Sequence, residues 1–259
     1  MFPTNAMHKS AVIPIIQLQE EPYASVVCYP RANPTLIRER ICELQKLCVE
    51  AVEFWGKSSA FTLPVLGKGY VGIVVVAQVK DKKYALKMQR VDSDRESLER
   101  EAELLVKANS VDVGPEFLAV SKHFLLMMLV EGDFLEGWLQ THNDKAAVRR
   151  ILSEILEQCY RLDEIGLDHG ELSKAPKHLL VDKSDKPFIV DFETASTQRN
   201  ASNVTSVCQF LFQGRSNVSV AVSQILGPRD KTVLVNALRK YRKDKKRINF
   251  EELKRLCLQ

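Results

Sequence analysis

Gly67-Lys68-Gly69-Tyr70-Val71-Gly72-Ile73-Val74 is a complete GxGxxGxV string, and Ala85-Leu86-Lys87 closes the β-prone stretch after it. No other feature narrows the fold as far. A glycine-rich turn between two strands can close over phosphates while a lysine on the following strand reaches them from below. The dinucleotide-binding version of such a string would open a helix and need a ribose-binding acid downstream. Here β-prone runs lie on both sides, Val65-Leu66 before and Ile73 to Val76 and Tyr84 to Leu86 after, with Lys80 to Lys83 as a polar turn. Three antiparallel strands are expected from Phe61 to Met88, with Gly67, Lys68, Gly69 and Gly72 over a nucleotide.

Lys87 ends a strand, and burying it without an anionic partner would cost several kcal/mol, on the order expected for an unpaired charge. Ser93-Asp94-Arg95-Glu96 has the form of a capping box, predicting a helix from 94 to 108. With Leu98 as zero, Ala102 and Leu105 lie roughly 40° and 20° away at the usual turn per residue. Glu101 falls about 60° from that axis, against about 100° for Glu99 and 140° for Glu103. Glu101 is therefore the acid aimed inward, and the expected partner of Lys87.

The rest of the chain divides around this core. Prolines 3, 14, 22 and 30 and the lack of periodicity make residues 1 to 33 an irregular or short-strand arm, and Asn33-Pro34 opens a helix expected over about 34–55, ending at Gly56. Two further strands are expected, Val111 to Val120 and His123 to Val130. Helical spacing follows from Val148 to Leu162, then a short hairpin (Leu179 to Val181, Phe188 to Val190) and about three helices. The six cysteines form no CxxC pair, so reduced, mostly buried thiols are expected. A net charge of +4 is too mild to imply a nucleic-acid or membrane partner by itself. No leader or membrane span is evident, and a cytoplasmic location is expected.

Together, Gly67, Gly69, Gly72, Lys87, Arg100-Glu101-Ala102, the hinge-like Met127 to Gly132, His169-Gly170-Glu171-Leu172 and Ile189-Val190-Asp191-Phe192 resemble the atypical, minimal protein-kinase-like proteins. The RIO-type kinases and the small kinase of the KEOPS complex, predicted serine/threonine kinases of archaeal type, are the nearest in pattern. The resemblance spans about residues 61 to 212. It implies an α+β, bilobal protein-kinase-like fold: a small antiparallel β-sheet lobe with one helix (61–131) and a reduced helical lobe (132–259), preceded by an extension (1–60). It also implies ATP and Mg²⁺ as cofactors. Backbone groups of Met128 to Val130 would meet the adenine edge, Val74 and Ala85 would flank the ring, and Asp191 would bind the metal.

Departures from that pattern matter as much. Glu171 stands where the family usually has an aspartate that accepts the substrate proton, and remains a carboxylate able to reach a hydroxyl. Pro176 replaces the expected asparagine ligand. His178, just before the Leu179 strand, is the candidate replacement, and Lys174 could neutralise the transferred phosphoryl group. Glu193 replaces the usual glycine after Asp191-Phe192, fixing the metal loop or adding a carboxylate. No APE motif follows, and 203–212 already reads as helix, so no conventional peptide-docking segment is expected.

Arg239 to Arg247 holds seven cations in nine residues. The run is either a solvated helix end or a surface for RNA. The expected function is an ATP- and Mg²⁺-dependent phosphotransferase acting on protein serine or threonine. A nucleotide-binding scaffold that no longer transfers phosphate, and a small-molecule kinase, are the alternatives.

Overall fold

A computed structural model describes residues 11–259; the first ten residues of the expected arm lie outside them. The chain forms two compact units. The first comprises residues up to Ala102 together with Glu116–Leu129, and the second Glu103–Pro115 with Val130–Gln259.

In the first unit the elements run β1 (Ala11–Pro14), a 3₁₀ turn Ile15–Gln19, α1 (Tyr23–Val27), α2 (Pro34–Lys46), β2 (Ala51–Phe54), β3 (Ser58–Ala60), β4 (Leu63–Val65), β5 (Gly67–Lys68), β6 (Gly72–Val79) and β7 (Lys82–Gln89). The chain continues through α3 (Glu99–Asn109), whose later turns belong to the second unit, and returns as β8 (Phe117–Val120) and β9 (Phe124–Met128). Seven of these strands make one antiparallel sheet in the order β1-β2-β6-β7-β9-β8, with β5 on β6; β3 and β4 form a separate pair. One face of the sheet is buried against the N-terminal elements. Ile73, Val75, Ala77, Leu86, Met88, Phe124 and Leu126 pack with Leu18, Val27, Ile37, Ile41 and Leu44 in a single core.

Several expectations are corrected here. The helix expected over 34–55 is Pro34–Lys46: Asn33 Oδ1 accepts the Thr35 amide at 2.9 Å, Cys48 turns the chain at φ +58°, and Ala51–Phe54 is a fully buried strand between β1 and β6. A short apolar run buried on both sides carries no period that separates strand from helix. Since β1 and β2 complete the sheet, residues 11–60 are part of this unit and not an extension to it, and the unit holds α1 and α2 besides the start of α3. Ser93 caps no helix. Its hydroxyl accepts the Arg95 amide at 3.1 Å in a local turn, and α3 starts at Glu99, where the Ser97 hydroxyl accepts the amide at 3.3 Å. Of the strand expected over 111–120, only Phe117–Val120 is extended; Asp112 (φ +56°) and Gly114 (φ +85°) turn the chain before it.

The second unit contains β10 (Gly132–Phe134), α4 (Leu135–Thr141), α5 (Lys145–Glu164), a 3₁₀ turn Leu172–Lys174, β11 (Leu179–Asp182), β12 (Pro187–Ile189), α6 (Asn203–Cys208), a π-helical turn Gln209–Gln213, α7 (Asn217–Leu226), α8 (Lys231–Lys243) and α9 (Arg247–Leu258). β10, β11 and β12 form a small antiparallel sheet. Asp144 caps α5 by accepting the Ala147 amide at 2.7 Å, and α5 buries the stripe from Val148 to Leu162. Four of the six free cysteines are buried. No helix among the described residues is long and apolar enough to cross a membrane.

Candidate active site

The first unit carries its candidate residues on the sheet face opposite that core. Residues opposite one another in an antiparallel pair share a face, and the register sets Val74 opposite Lys87 and Val76 opposite Ala85. The intervening residues Ile73, Val75 and Leu86 belong to the core. Val74, Val76, Ala85 and Lys87 therefore occupy the other face, with Leu125 and Met127 of β9 beside them.

Lys87 Nζ lies 2.9 Å from both Glu101 carboxylate oxygens, and the two side chains are 6% and 7% exposed. Removing either partner would strand a buried charge, a loss of about 3–5 kcal/mol. Gly72 is needed for this lysine to lie where it does. A Cβ there would meet Lys87 Cγ at 3.0 Å and the Met88 carbonyl at 3.0 Å, whereas nothing lies within 4 Å of a Cβ at Gly67. The turn between closes through the Gly69 amide, which donates to the Gly72 carbonyl at 2.8 Å.

Two residues with no motif of their own brace this turn. Arg90 Nη1 donates to the Gly69 carbonyl at 3.1 Å, and the Tyr29 ring holds Lys68 Nζ and the Arg90 guanidinium each 5.0 Å from its centroid. Lys68 is thus turned to Tyr29, donating to its hydroxyl at 3.3 Å. The Met128 amide donates to the Glu116 carbonyl at 2.8 Å, just ahead of β8. Val130, placed in the second unit, keeps backbone groups that no described residue claims.

In the second unit, Glu171, His178 and Asp191 come together. His178 Nε2 lies 2.8 Å from Glu171 Oε2, and His178 Nδ1 lies 3.9 Å from Asp191 Oδ2. The loop that presents them is locked from below. Asp168 exchanges backbone hydrogen bonds with Ser196 at 2.9 and 2.8 Å, and its carboxylate accepts from Arg199 Nε at 2.7 Å and the Ser202 amide at 3.2 Å. Gly170 adopts φ +90°, where a Cβ would meet Arg199 Nη2 at 2.6 Å. His169 is fully buried. Its Nε2 donates to the Val190 carbonyl at 3.1 Å, and burial, with the His178 charge beside it, drops its pKa to about 4, so the ring stays neutral.

Beneath His169, the Asn203 side chain accepts the His169 amide at 2.8 Å and donates to Asp163 Oδ1 at 2.8 Å and to the Leu167 carbonyl at 2.7 Å. Tyr241 completes the network, donating to Asp163 Oδ2 at 2.9 Å. Burial pushes the Asp163 carboxyl up even against these donors, and pushes the Tyr241 phenol up as well. Sequence reasoning missed Asp163 and Asn203, whose only signal was a polar residue within an apolar helical stripe.

Asp191 is held at φ +70°, a left-handed conformation uncommon outside glycine, and Phe192 anchors it with its ring edge-on to His169 at 5.1 Å. Carboxylate oxygens of Asp191 and Glu193 lie within 4.8 Å of one another. Two such oxygens suit a hard divalent cation, which takes oxygen ligands. The residues present therefore fit Mg²⁺ through Asp191 with Glu193. His178, expected as a metal ligand, makes its short contact with Glu171. Lys174 is exposed at the end of the 3₁₀ turn, its amide donating to the Glu171 carbonyl at 3.0 Å.

The basic run is largely spoken for. Arg247 clasps Glu157 at 2.7 and 2.9 Å, Lys240 meets Glu252 at 2.5 Å, Lys246 meets Asp244 at 3.1 Å and Lys245 donates to Asn200 Oδ1 at 2.7 Å. Tyr241, in its middle, is fully buried. Arg239, Arg242 and Lys243 are the exposed remainder.

A sheet with a glycine-rich turn over a buried Lys-Glu pair, and a helical unit with a carboxylate loop, define a kinase-like protein. The model of the RIO domain matches residues 74–210, more than half of the chain, and the chain belongs to the RIO domain family. That family consists of atypical protein kinases, which places the chain among phosphotransferases, and it generally binds ATP with Mg²⁺. The chain is also similar to the uncharacterized protein MJ1211 of Methanocaldococcus jannaschii, 26% identical over 106 residues that make up 38% of this chain and 89% of the relative.

Proposed function

We propose that the protein is an ATP- and Mg²⁺-dependent kinase that phosphorylates a serine or threonine hydroxyl of a protein. The observation that carries this reading is the buried Lys87–Glu101 pair on the sheet face that also bears Val74 and Ala85, next to the glycine-rich turn. Glu101 fixes the lysine so that its ammonium is presented to the α and β phosphates without rearrangement. The turn from Gly67 to Gly72 covers the phosphates, Val74 and Ala85 flank the adenine, and backbone groups of Met128 to Val130 meet its edge. Asp191 and Glu193 hold Mg²⁺, which when bound neutralises phosphate charge.

Glu171 accepts the proton of the attacking hydroxyl as the new P–O bond forms and the bond from the γ-phosphorus to the bridging oxygen breaks, releasing ADP. His178 orients that carboxylate. Lys174 neutralises the phosphoryl group in passage. Transfer of label from γ-labelled ATP tests the assignment. Lys87→Ala should remove nucleotide binding, and Glu171→Gln should keep MgATP bound while transfer falls by about 10²–10⁴-fold. Unchanged transfer in both variants refutes it. Binding of MgATP by the wild type with no transfer to any protein or metabolite would identify a nucleotide-binding scaffold instead.

A further inference from the structure

The catalytic loop continues into an open cavity of about 510 Å³ within the second unit, lined by nine residues from the 3₁₀ turn and the chain just after it, the π-helical turn, and the connection from that turn to α7. None of the nine is acidic. Two are cations, Lys174 and Arg215, both exposed and neither in an ion pair with a described residue. The Ser216 hydroxyl caps α7 by accepting the Ser219 amide at 3.2 Å, and Asn217, the first residue of that helix, donates its side chain to Glu136 Oε1 at 2.7 Å. Gln213, also in the lining, has a carboxamide nitrogen shielded from solvent and lacking any acceptor. A cavity with two positive side chains and no carboxylate in its lining is complementary to an anion.

Its place in the chain says which anion. The cavity starts at Ser173, two residues after Glu171, and Lys174 is tied to Glu171 through the backbone at 3.0 Å. We propose that this cavity binds the acceptor segment of the protein substrate, and that the segment carries acidic residues beside the hydroxyl to be phosphorylated. The proposal rests on the kinase reading given above. A single-stranded nucleic acid fits poorly, since such strands bind by stacking bases on exposed aromatic rings. Phe210, the only aromatic residue in the lining, is 5% exposed.

The cavity also stands in for what the chain lacks. No conventional activation segment separates Asp191 from α6, so an acceptor must be positioned by other means, and Arg215 lies in the short connection between the π-helical turn that follows α6 and α7.

The test uses the full chain with three fluorescent peptides, each with one central serine flanked by aspartates, by alanines or by lysines, and an unstructured RNA oligonucleotide. Binding is followed by anisotropy with and without MgATP, and transfer is measured in parallel. The acidic peptide should bind at least tenfold more tightly than the neutral one. Arg215→Glu should abolish that preference and shift it toward the lysine peptide, with MgATP affinity unchanged. Because peptide binding is measured apart from transfer, a protein that binds the acidic peptide through Arg215 yet transfers nothing would defeat the kinase reading and leave the cavity assignment standing. Equal binding of the three peptides, binding indifferent to Arg215→Glu, or tighter Arg215-dependent binding of the RNA would each overturn the assignment.

Discussion

Two clusters of opposite charge do their work by different construction. In the first unit, Lys87 and Glu101 sit on a strand and a helix, both almost fully buried and in direct contact at 2.9 Å. In the second, Glu171, His178 and Asp191 sit on irregular chain. The carboxylates of Glu171 and Asp191 are 37% and 34% exposed, and Asp191 is held in a left-handed conformation. Regular structure suits a group whose task is the same at every moment, because ladder hydrogen bonds fix it without further help. Groups that must meet a changing ligand need to stay accessible. Their order comes from the buried network of Asp163, Asn203, His169 and Asp168 below the loop.

The largest effect should come from breaking the regular pair. Lys87→Ala should lower stability by about 3–5 kcal/mol as well as removing MgATP binding, because Glu101 is left buried and unpaired. Adding Glu101→Gln should restore most of the stability, read by urea denaturation, and none of the binding, read by calorimetry. Recovery of binding in the double variant would mean that the lysine serves only the fold.

The loop should respond to its support. Asn203→Ala leaves the His169 amide without its acceptor and removes one of the two side-chain donors to Asp163, and should cost about 1–3 kcal/mol. Catalytic turnover should fall while MgATP affinity changes little, because the loss is on the loop side. Equal loss of both would erase the distinction between the two clusters.

A smaller contrast lies within the glycine string. Gly72→Ala must displace Lys87 or the Met88 backbone, and should weaken MgATP binding by about tenfold, on the order of 1–2 kcal/mol of packing strain. Gly67→Ala faces open space and should be near neutral. Matching affinities for the two variants would show that Gly72 does not set the lysine's position.

The least effect concerns how α2 is clamped to the sheet. Burial alone would raise the Glu43 carboxyl, yet hydrogen bonds from the His123 ring at 2.6 Å, the Ser121 hydroxyl at 2.6 Å and the His123 amide at 3.0 Å bring it down to about 2. A depressed carboxylate stabilises the fold above its unfolded pKa and loses that contribution as pH falls through the folded one. The stability gap between wild type and Glu43→Gln should therefore be constant above about pH 5 and close between roughly pH 4.5 and 2. A gap that widens in acid would reverse the assignment.

Much of the fold could be read along the chain where a local rule applied. The strands around the glycine string, the helix from Lys145 to Glu164 and the hairpin from Leu179 to Ile189 each show a period or a turn that depends on near neighbours alone. The failures share a cause. Residues 47–55 kept helical spacing and became a strand, because the partners that claim Ala51–Phe54 are β1 and β6, one of them more than thirty residues away. The apparent capping box at Ser93 formed a turn, because nothing in four letters states where tertiary contacts allow a helix to start.

The sequence by itself determined the residue types and order that make a glycine-rich turn, a strand lysine, an inward-facing Glu101 and a carboxylate loop, since these follow from chain-local spacing and helical phase. Only the tertiary structure decided that His178 belongs to Glu171, that Met128 has no free amide, that four of the seven cations of the basic run already have partners and that Tyr29 and Asn203 hold the site in place. Each of those depends on which distant group satisfies a buried donor, acceptor or charge, and the energy of such pairing is set by three-dimensional proximity that one-dimensional spacing does not encode.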